Sequence, residues 1–419
     1  MTTMKCAFVS AVALAAFAAQ ADVIDRPTGF KIGQRMTLRP YVSMGYTFDS
    51  NPDSSRRSSS GSSWCINPGV GFDYAGGNWN VKGAVYYQYH AYSSGYSHQL
   101  NTSSFGEQLA FDWTNCEQGK GKGWTLLLNE TFQSISQDDD MTTSGGKGLG
   151  RDRLELRVNG ALDRRFNEHW HAGVNGGYYL LDYDNDVDRY APLYGWTRWN
   201  AGAQIGFTAS KWTDVFIAGG YQGYTQDNDV YLGGEGDISR GSRISDRSTG
   251  WTLHVGVGSF MTERIEYRLS GGWSVFDYAN EKTVNGFTYE GSLKWMIGET
   301  WDMMFLATSY YQPSEREYGS ATRTDALSWG VKKSMVRGKL DATFDVAYRH
   351  ETHTYADFED SDYHLDILTF RLGLNYNINR FLSAFGRIEY QTEICDGDNL
   401  GNEYDYDRWR ATIGLRLAY

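Results

Sequence analysis

From residue 37 onward, apolar and polar positions alternate with period two in segments of roughly ten to fourteen residues. Leu38, Pro40, Val42, Met44, Tyr46 and Phe48 are interleaved with Arg39, Ser43, Gly45 and Thr47. Trp79, Val81, Gly83, Val85, Tyr87 and Tyr89 repeat the pattern, and so do Ile265, Tyr267, Leu269, Gly271, Trp273 and Val275. The last such run is Trp409, Ala411, Ile413, Leu415, Leu417 and Tyr419. Side chains two residues apart share a face of an extended chain, so each run predicts a strand with one apolar and one polar side. The pattern predicts eighteen strands, at 37–48, 64–74, 79–91, 103–114, 123–136, 151–162, 169–181, 196–208, 212–224, 249–259, 264–277, 284–296, 300–312, 323–335, 338–351, 363–376, 380–393 and 405–419.

The connections say what these strands build. Short turns fall near Ala75–Asn78, Asp163–Glu168, Ala209–Lys211, Met261–Glu263, Gly298–Glu299, Val336–Arg337 and Asn377–Asn379. Longer stretches fall between them, among them Ser50–Ser63, Asp138–Gly150, Asp182–Gly195, Thr225–Ser248 and Cys395–Tyr404. Alternation of short and long connections is the habit of a transmembrane antiparallel up-and-down β-barrel, with short periplasmic turns and long outer loops. The expected fold is therefore all-β. The connection at Asn115–Lys122 and the pair around Tyr278–Thr283 fit least well, and sixteen strands is the alternative count. Either number is even, which puts both ends of the barrel on one side.

Composition agrees. Aromatic residues make up 15% of the 419 residues, with 30 Tyr, 14 Trp and 48 Gly. Disordered chains are aromatic-poor, and outside the first 21 positions no apolar run is long enough for a membrane helix. A net charge of -12 argues against nucleic acid as a partner. The N-terminus carries Lys5, an apolar run from Ala7 to Ala19, and the small-x-small pattern Ala19-Gln20-Ala21. It reads as a secretory signal over 1–21, followed by a short periplasmic segment over 22–36 and the barrel over 37–419. Trp79, Trp124, Trp170, Trp212, Trp301 and Trp409 fall near strand starts, and Tyr46, Tyr89, Tyr221, Tyr278 and Tyr311 near strand ends. These are the expected interfacial girdles.

In a closed barrel, function comes from the lumen, the loops or a plug. Residues 22–36 are too few for a plug domain. The polar parity places Lys82, Asp112, Arg153, Glu155, Arg157, Arg264, Glu266 and Arg268 in the lumen. In the C-terminal strands it adds Arg349, Arg371, Arg387, Arg408, Arg410 and Arg416, with Asp341, Asp345 and Glu389. Those six arginines form a candidate basic ladder, with carboxylates opposite or between, and such a field favours polar or anionic solutes. The plainer reading is mutual pairing that only satisfies buried charge. Inward Tyr86, Tyr179 and Tyr310 are the places where a sugar ring would stack, without forming a continuous stripe. The loop Thr225–Ser248, with Gly233–Asp237 at its centre, is the candidate constriction, and equally a plain outer loop.

Other chemistry is sparse. The aspartates at 182, 184, 186 and 188 depart from a calcium loop, because Val187 stands at the glycine position and Leu193 at the terminal glutamate position. Cys65 and Cys395 map to outer strand ends about three strand spacings apart, roughly 14 Å, beyond direct disulfide reach. His169 and His171 share a face without a third ligand. His90, His98, His350, His353 and His364 lie near the outer rim, where a hydrolase would place a Ser/His or Asp/His pair, yet nothing marks one. No enzyme, metal or cofactor is expected.

The first strand, Leu38-Arg-Pro-Tyr-Val-Ser-Met-Gly-Tyr-Thr-Phe-Asp-Ser-Asn51, and the hairpin rhythm after it resemble the β-barrel porin 2 family of bacterial outer-membrane proteins. The closing strand Arg408–Tyr419 is similar to the C-terminal signal read by the barrel-assembly machinery. The resemblance implies a Gram-negative outer-membrane porin in contact with lipid and lipopolysaccharide, transporting small polar solutes. It also leaves open an exopolysaccharide export conduit or a structural or adhesive barrel acting through its outer loops.

Overall fold

The structure is a computed structural model that describes residues 29–51, 60–92, 102–115, 122–136, 153–183, 196–210, 213–226, 247–259, 264–278, 282–313, 321–336, 338–354, 363–396 and 405–419. Among the described residues every element is a strand. In chain order they are β1 (Phe30–Ile32), β2 (Met36–Asp49), β3 (Gly61–Gly76), β4 (Trp79–Tyr92), β5 (Thr102–Thr114), β6 (Gly123–Ser136), β7 (Arg153–Arg165), β8 (Trp170–Tyr183), β9 (Trp196–Ser210) and β10 (Thr213–Gln226). They continue as β11 (Arg247–Gly258), β12 (Ile265–Tyr278), β13 (Lys282–Ile297), β14 (Trp301–Pro313), β15 (Ala321–Met335), β16 (Leu340–Thr354), β17 (Tyr363–Asn377), β18 (Leu382–Asp396) and β19 (Tyr406–Ala418).

Strands β2 to β19 each pair antiparallel with their neighbours in sequence, and β19 returns to pair with β2, from Ala418↔Tyr41 to Arg410↔Asp49. The sheet is thus a closed eighteen-strand ring whose first and last strands pair and leave no free edge at the closure. All eighteen expected strands are present, each end within three residues of expectation. The sixteen-strand count is set aside, because β12 and β13 are two full strands joined across residues 279–281.

Strand β1 is the extra element, inside the segment 22–36. It folds back on the start of β2 through Gly33, whose φ of +67° a side chain would resist. It lies end to end with β19 on the same edge of β2. Phe30 stacks on Tyr419 at 4.1 Å, so the hairpin prolongs the closing ladder beyond the chain's last residue.

Alternation sorts the side chains. Met44, Trp64, Val85, Val174, Ile205, Leu253, Leu269, Phe287, Ile413 and Leu415 are exposed on the exterior, and Asp49, Arg153, Gln204, Thr288, Glu393 and Arg408 are buried on the interior. An outside that is apolar and an inside that is polar invert the soluble plan. Strands of 12 to 16 residues exceed the roughly 9–11 needed to cross a bilayer. Two carboxylates interrupt the exterior near the middle of their strands. Glu107 of β5 stands between Phe105 and Leu109, and Glu130 of β6 between Leu128 and Phe132. The register sets Glu107 against Phe132 and Leu109 against Glu130, so the two acids are diagonal neighbours on one face.

The girdle expectation needs correction. Trp79, Trp170 and Trp301 are exposed at the short-turn end, but Trp409 opens a strand at the long-loop end, where exposed Tyr221 also lies. Tyr278 and Tyr311 are 4% and 6% exposed and belong to an internal cluster. Tyr278 has inward parity; Tyr311 owes its place to a displaced strand end, described below. Trp212 lies outside the described residues.

Candidate functional site: the charged lumen wall

The inward parity of β16–β19 and β2 brings one row of side chains into line. Asp345 faces Arg371 across β16 and β17, Arg371 faces Glu389 on β18, Glu389 faces Arg410 on β19, and Arg410 faces Asp49 on β2. Five strands therefore carry alternating charge along one line. Glycine stands at both of its ends, Gly330 opposite Asp345 and Gly61 opposite Asp49. Cross-strand opposite charges each contribute about 0.2–1 kcal/mol, so the row also holds its strands in register.

The contacts follow the register. Arg371 Nε donates to Glu389 at 2.5 Å, and Arg410 reaches Asp49 at 3.5 Å and Glu389 at 3.9 Å. Arg408, just beyond the row, donates through Nε to both oxygens of Asp49 at 3.0 and 2.9 Å, and through Nη2 as well. The Arg408 and Asp49 side chains are 3% and 2% exposed. Arg349 pairs with Glu351 at 3.0 Å, and the Arg416 guanidinium lies 5.1 Å from the Tyr41 ring centre. Arg387 stands one position from the row, against Thr412 and Gly373. The expected arginine ladder is therefore a ladder of pairs, with carboxylates between the arginines. Arg371 remains 45% exposed and Arg410 29%, so the row still faces the lumen.

The earlier strands make a different wall. Arg157 pairs with Glu155 and lies 4.7 Å from the Tyr179 ring, while Arg153 is buried. Lys82 has inward parity on β4 opposite Asp73, and Asp112 accepts a bond from Asn80 at 2.7 Å. Arg268 donates to Gln204 at 3.1 Å and lies 3.8 Å from the Phe216 ring. Glu266 is exposed near the short-turn end of β12. Arg264 precedes that strand and is exposed, so it belongs to the mouth. Asp341 accepts from Ser334 at 2.6 Å. The residues that sequence singled out thus fall into one continuous row and several local pairs.

Alternation had not drawn attention to a polar knot near the short-turn end. His171 contacts both oxygens of Asp214 at 2.9 and 3.0 Å, and Thr208 donates to Asp214 at 2.9 Å. His169, two residues before it, instead meets the Thr208 carbonyl at 3.1 Å from the turn. At the rim, His353 bonds Glu351 at 3.1 Å and stacks on Tyr363, whereas His350 bonds Asp366 at 2.8 Å. His350 and His364 stack on the exterior parity. Cys65 and Cys395 stand on β3 and β18, three positions apart around the ring. Among the described residues no group of three or more His, Cys, Asp or Glu could hold a metal ion. His98, Cys116, the calcium-like aspartates beyond residue 183 and the centre of the 225–248 loop lie outside the described residues.

Apolar side chains fill part of the lumen at the long-loop end. Leu181, Trp196, Tyr224, Phe276, Tyr278, Tyr311 and Ala321 form one buried cluster. Most come from the inner faces of β8, β9, β10 and β12. Tyr311 closes β14 and Ala321 opens β15, and both pack inward against this group.

A closed ring of eighteen strands, apolar outside and charged inside, defines a β-barrel of the outer-membrane type. Residues 239–419 match the family described as "Putative beta-barrel porin 2". No curated protein matches the chain. Among solved structures, the FrpB iron transporter from Neisseria meningitidis (F3-3 variant) is similar at 10% identity. The match covers 93% of this chain and 82% of that one, with a TM-score of 0.47. The outer membrane protein opdK from Pseudomonas aeruginosa is similar at 10% identity over 91% of this chain and 99% of that one, with a TM-score of 0.42. The siderophore receptor PirA from Acinetobacter baumannii is similar at 9% identity over 93% and 81%, also with a TM-score of 0.42. The barrel and the family match point to an outer-membrane location.

Proposed function

We propose that the chain is a porin-like outer-membrane channel for passive passage of small polar or anionic solutes, with its long-loop end outside the cell. The observation that carries this reading is the alternating row Asp345–Arg371–Glu389–Arg410–Asp49 on the lumen wall. Paired charges on one wall create a transverse field without a large net charge. Such a field orients water and dipolar solutes and gives modest ion selectivity. Eighteen strands enclose enough space for an aqueous path. The function is conduction rather than catalysis, and β19 is the segment that would engage the assembly machinery.

The test is single-channel conductance of the refolded mature chain in a planar bilayer, with reversal potentials in a salt gradient. Open channels are expected, with weak anion preference that falls in Arg371→Ala and Arg410→Ala. A correctly folded barrel without conductance would overturn the reading and favour a barrel acting through its outer loops.

A further inference from the structure

One ladder of the ring is incomplete. The β13–β14 register runs from Ile297↔Trp301 to Glu290↔Thr308 and stops. On either side the strands continue, β12 with β13 to Tyr278↔Lys282 and β14 with β15 to Pro313↔Ala321. Residues 282–289 of β13 and 309–313 of β14 therefore lack each other as partners. Unpaired backbone facing hydrocarbon costs several kcal/mol per group, so it is tolerated only where protein or water covers it.

The end of β14 is covered because it moves inward. Tyr311 has the exterior parity of Trp301 and Phe305, yet its ring lies 6.5 Å from Phe276 on the inner face of β12. Its carbonyl accepts from Gln222 at 3.3 Å and Tyr224 at 3.4 Å, both on the inner face of β10. Gly286 of β13 leaves the room that the Tyr311 hydroxyl occupies: a Cβ there would lie 2.8 Å from it. Tyr311, from the exterior parity of β14, thus rests against the inner faces of β10, β12 and β13.

Side chains bridge the gap left in the wall. Arg323 of β15 donates to the Phe287 carbonyl at 3.3 Å and to Asp325 at 2.9 Å, and Tyr289 lies beside Asp325. Toward the membrane the gap is flanked by Trp273 and Phe287, 50% and 56% exposed. Behind it lies the aromatic cluster of the lumen. Exposed rings outside, one ion pair in the gap and buried rings behind it suit a molecule with an apolar body and a hydrogen-bonding head.

We propose that the seam between β13 and β14 is a lateral portal, through which an amphiphile of the outer leaflet reaches the lumen behind the β14–β15 end. This goes beyond conduction of polar solutes and needs only that the barrel sits in a bilayer, so it stands or falls separately from channel activity.

Lipid contact tests it. In a chain with Cys65, Cys116 and Cys395 replaced by serine, single cysteines are placed at Phe276, Phe287 and Thr47 and labelled with bimane. The barrels are reconstituted in phosphatidylcholine vesicles with or without a doxyl group at acyl position 5. Phe287→Cys on the exterior is the lipid-exposed reference, and Thr47→Cys on the inner face of β2 is the shielded one. The proposal expects quenching at Phe276→Cys of at least half that at Phe287→Cys, rising further in Arg323→Ala. Quenching at Phe276→Cys no greater than at Thr47→Cys, with and without Arg323→Ala, overturns it. Because Phe276→Cys thins the aromatic cluster, benzophenone side chains at Tyr311 and Tyr86 provide a bulk-preserving check. Photocrosslinking to phospholipid is expected at 311 and not at inner-face 86; equal absence at both overturns the portal.

Discussion

The ring has two unusual joints, and they behave oppositely. Where the chain's ends meet, β19 and β2 pair without interruption up to Arg410↔Asp49, and Arg408 and Arg410 both reach Asp49 at the long-loop end. Beyond the last residue, β1 and the Phe30–Tyr419 stack prolong the same edge. In mid-sequence, where continuity would favour simple pairing, β13 and β14 part at Glu290↔Thr308. Covalent closeness therefore does not decide where a barrel wall is firm. The closing joint couples backbone pairing to an ion pair in the same rows. The β13–β14 joint replaces backbone pairing with aromatic packing and one arginine bridge.

The largest expected effect falls on the firm joint. Arg408→Ala leaves the buried Asp49 carboxylate with the Asn51 N–H at 3.0 Å and the more distant Arg410 at 3.5 Å, and loss of one partner of a buried pair costs about 3–5 kcal/mol. Denaturant unfolding followed by heat-modified gel mobility should show it. The double variant Asp49→Asn with Arg408→Met should recover much of the loss. At the loose joint, Tyr311→Ala removes a buried aromatic, about 3 kcal/mol, but the loss should stay local. Hydrogen exchange over 309–313 and 321–323 should quicken by roughly 10²-fold while β16–β19 keeps its protection.

Much of this was legible in the sequence. Period-two alternation located the strands, because one face of each meets lipid and the other the lumen. The alternation of short and long connections identified the barrel. Period-two alternation also holds two mid-strand exterior acids: Glu107 shares the parity of Phe105, Leu109 and Phe111, and Glu130 that of Leu126, Leu128 and Phe132. A charge on the apolar parity is the signal that marks them. The pairing of the arginines was less legible. Parity says that Arg371, Glu389 and Arg410 face inward, but only register says that they align. The β13–β14 break was hardly legible: Ser309 on β14 and Arg323 and Asp325 on β15 put polar side chains on the apolar parity, but alternation alone does not say that the strand end leaves the wall. Tyr311 therefore reads as a girdle residue in sequence but belongs to the internal cluster.

Two smaller effects sharpen the contrast between firm and loose wall. Glu130→Leu restores the exterior pattern far from both joints and should stabilise the barrel by about 1–2 kcal/mol, because carboxylates facing lipid cost somewhat less than the ~2–4 kcal/mol of basic residues. Unfolding in lipid vesicles reads this gain, and an unchanged or lowered stability would mean that the acid is covered by another surface. Arg323→Ala cuts only a part-exposed bridge, worth about 1 kcal/mol or less. Global stability should barely move, while exchange of the Phe287–Tyr289 backbone should rise.

The central claim is that the end of β14 lies inside the lumen and not in the wall, and thiol trapping tests it most directly. Continuing the register past Glu290↔Thr308 would pair Thr288 with Tyr310. The seated position instead puts Tyr311 against Gln222. In reconstituted barrels without native cysteines, a short bifunctional thiol reagent should join Gln222→Cys to Tyr311→Cys, and oxidation should not join Thr288→Cys to Tyr310→Cys. Disulfide formation at 288–310 with no crosslink at 222–311 would place β14 in the wall and contradict the account.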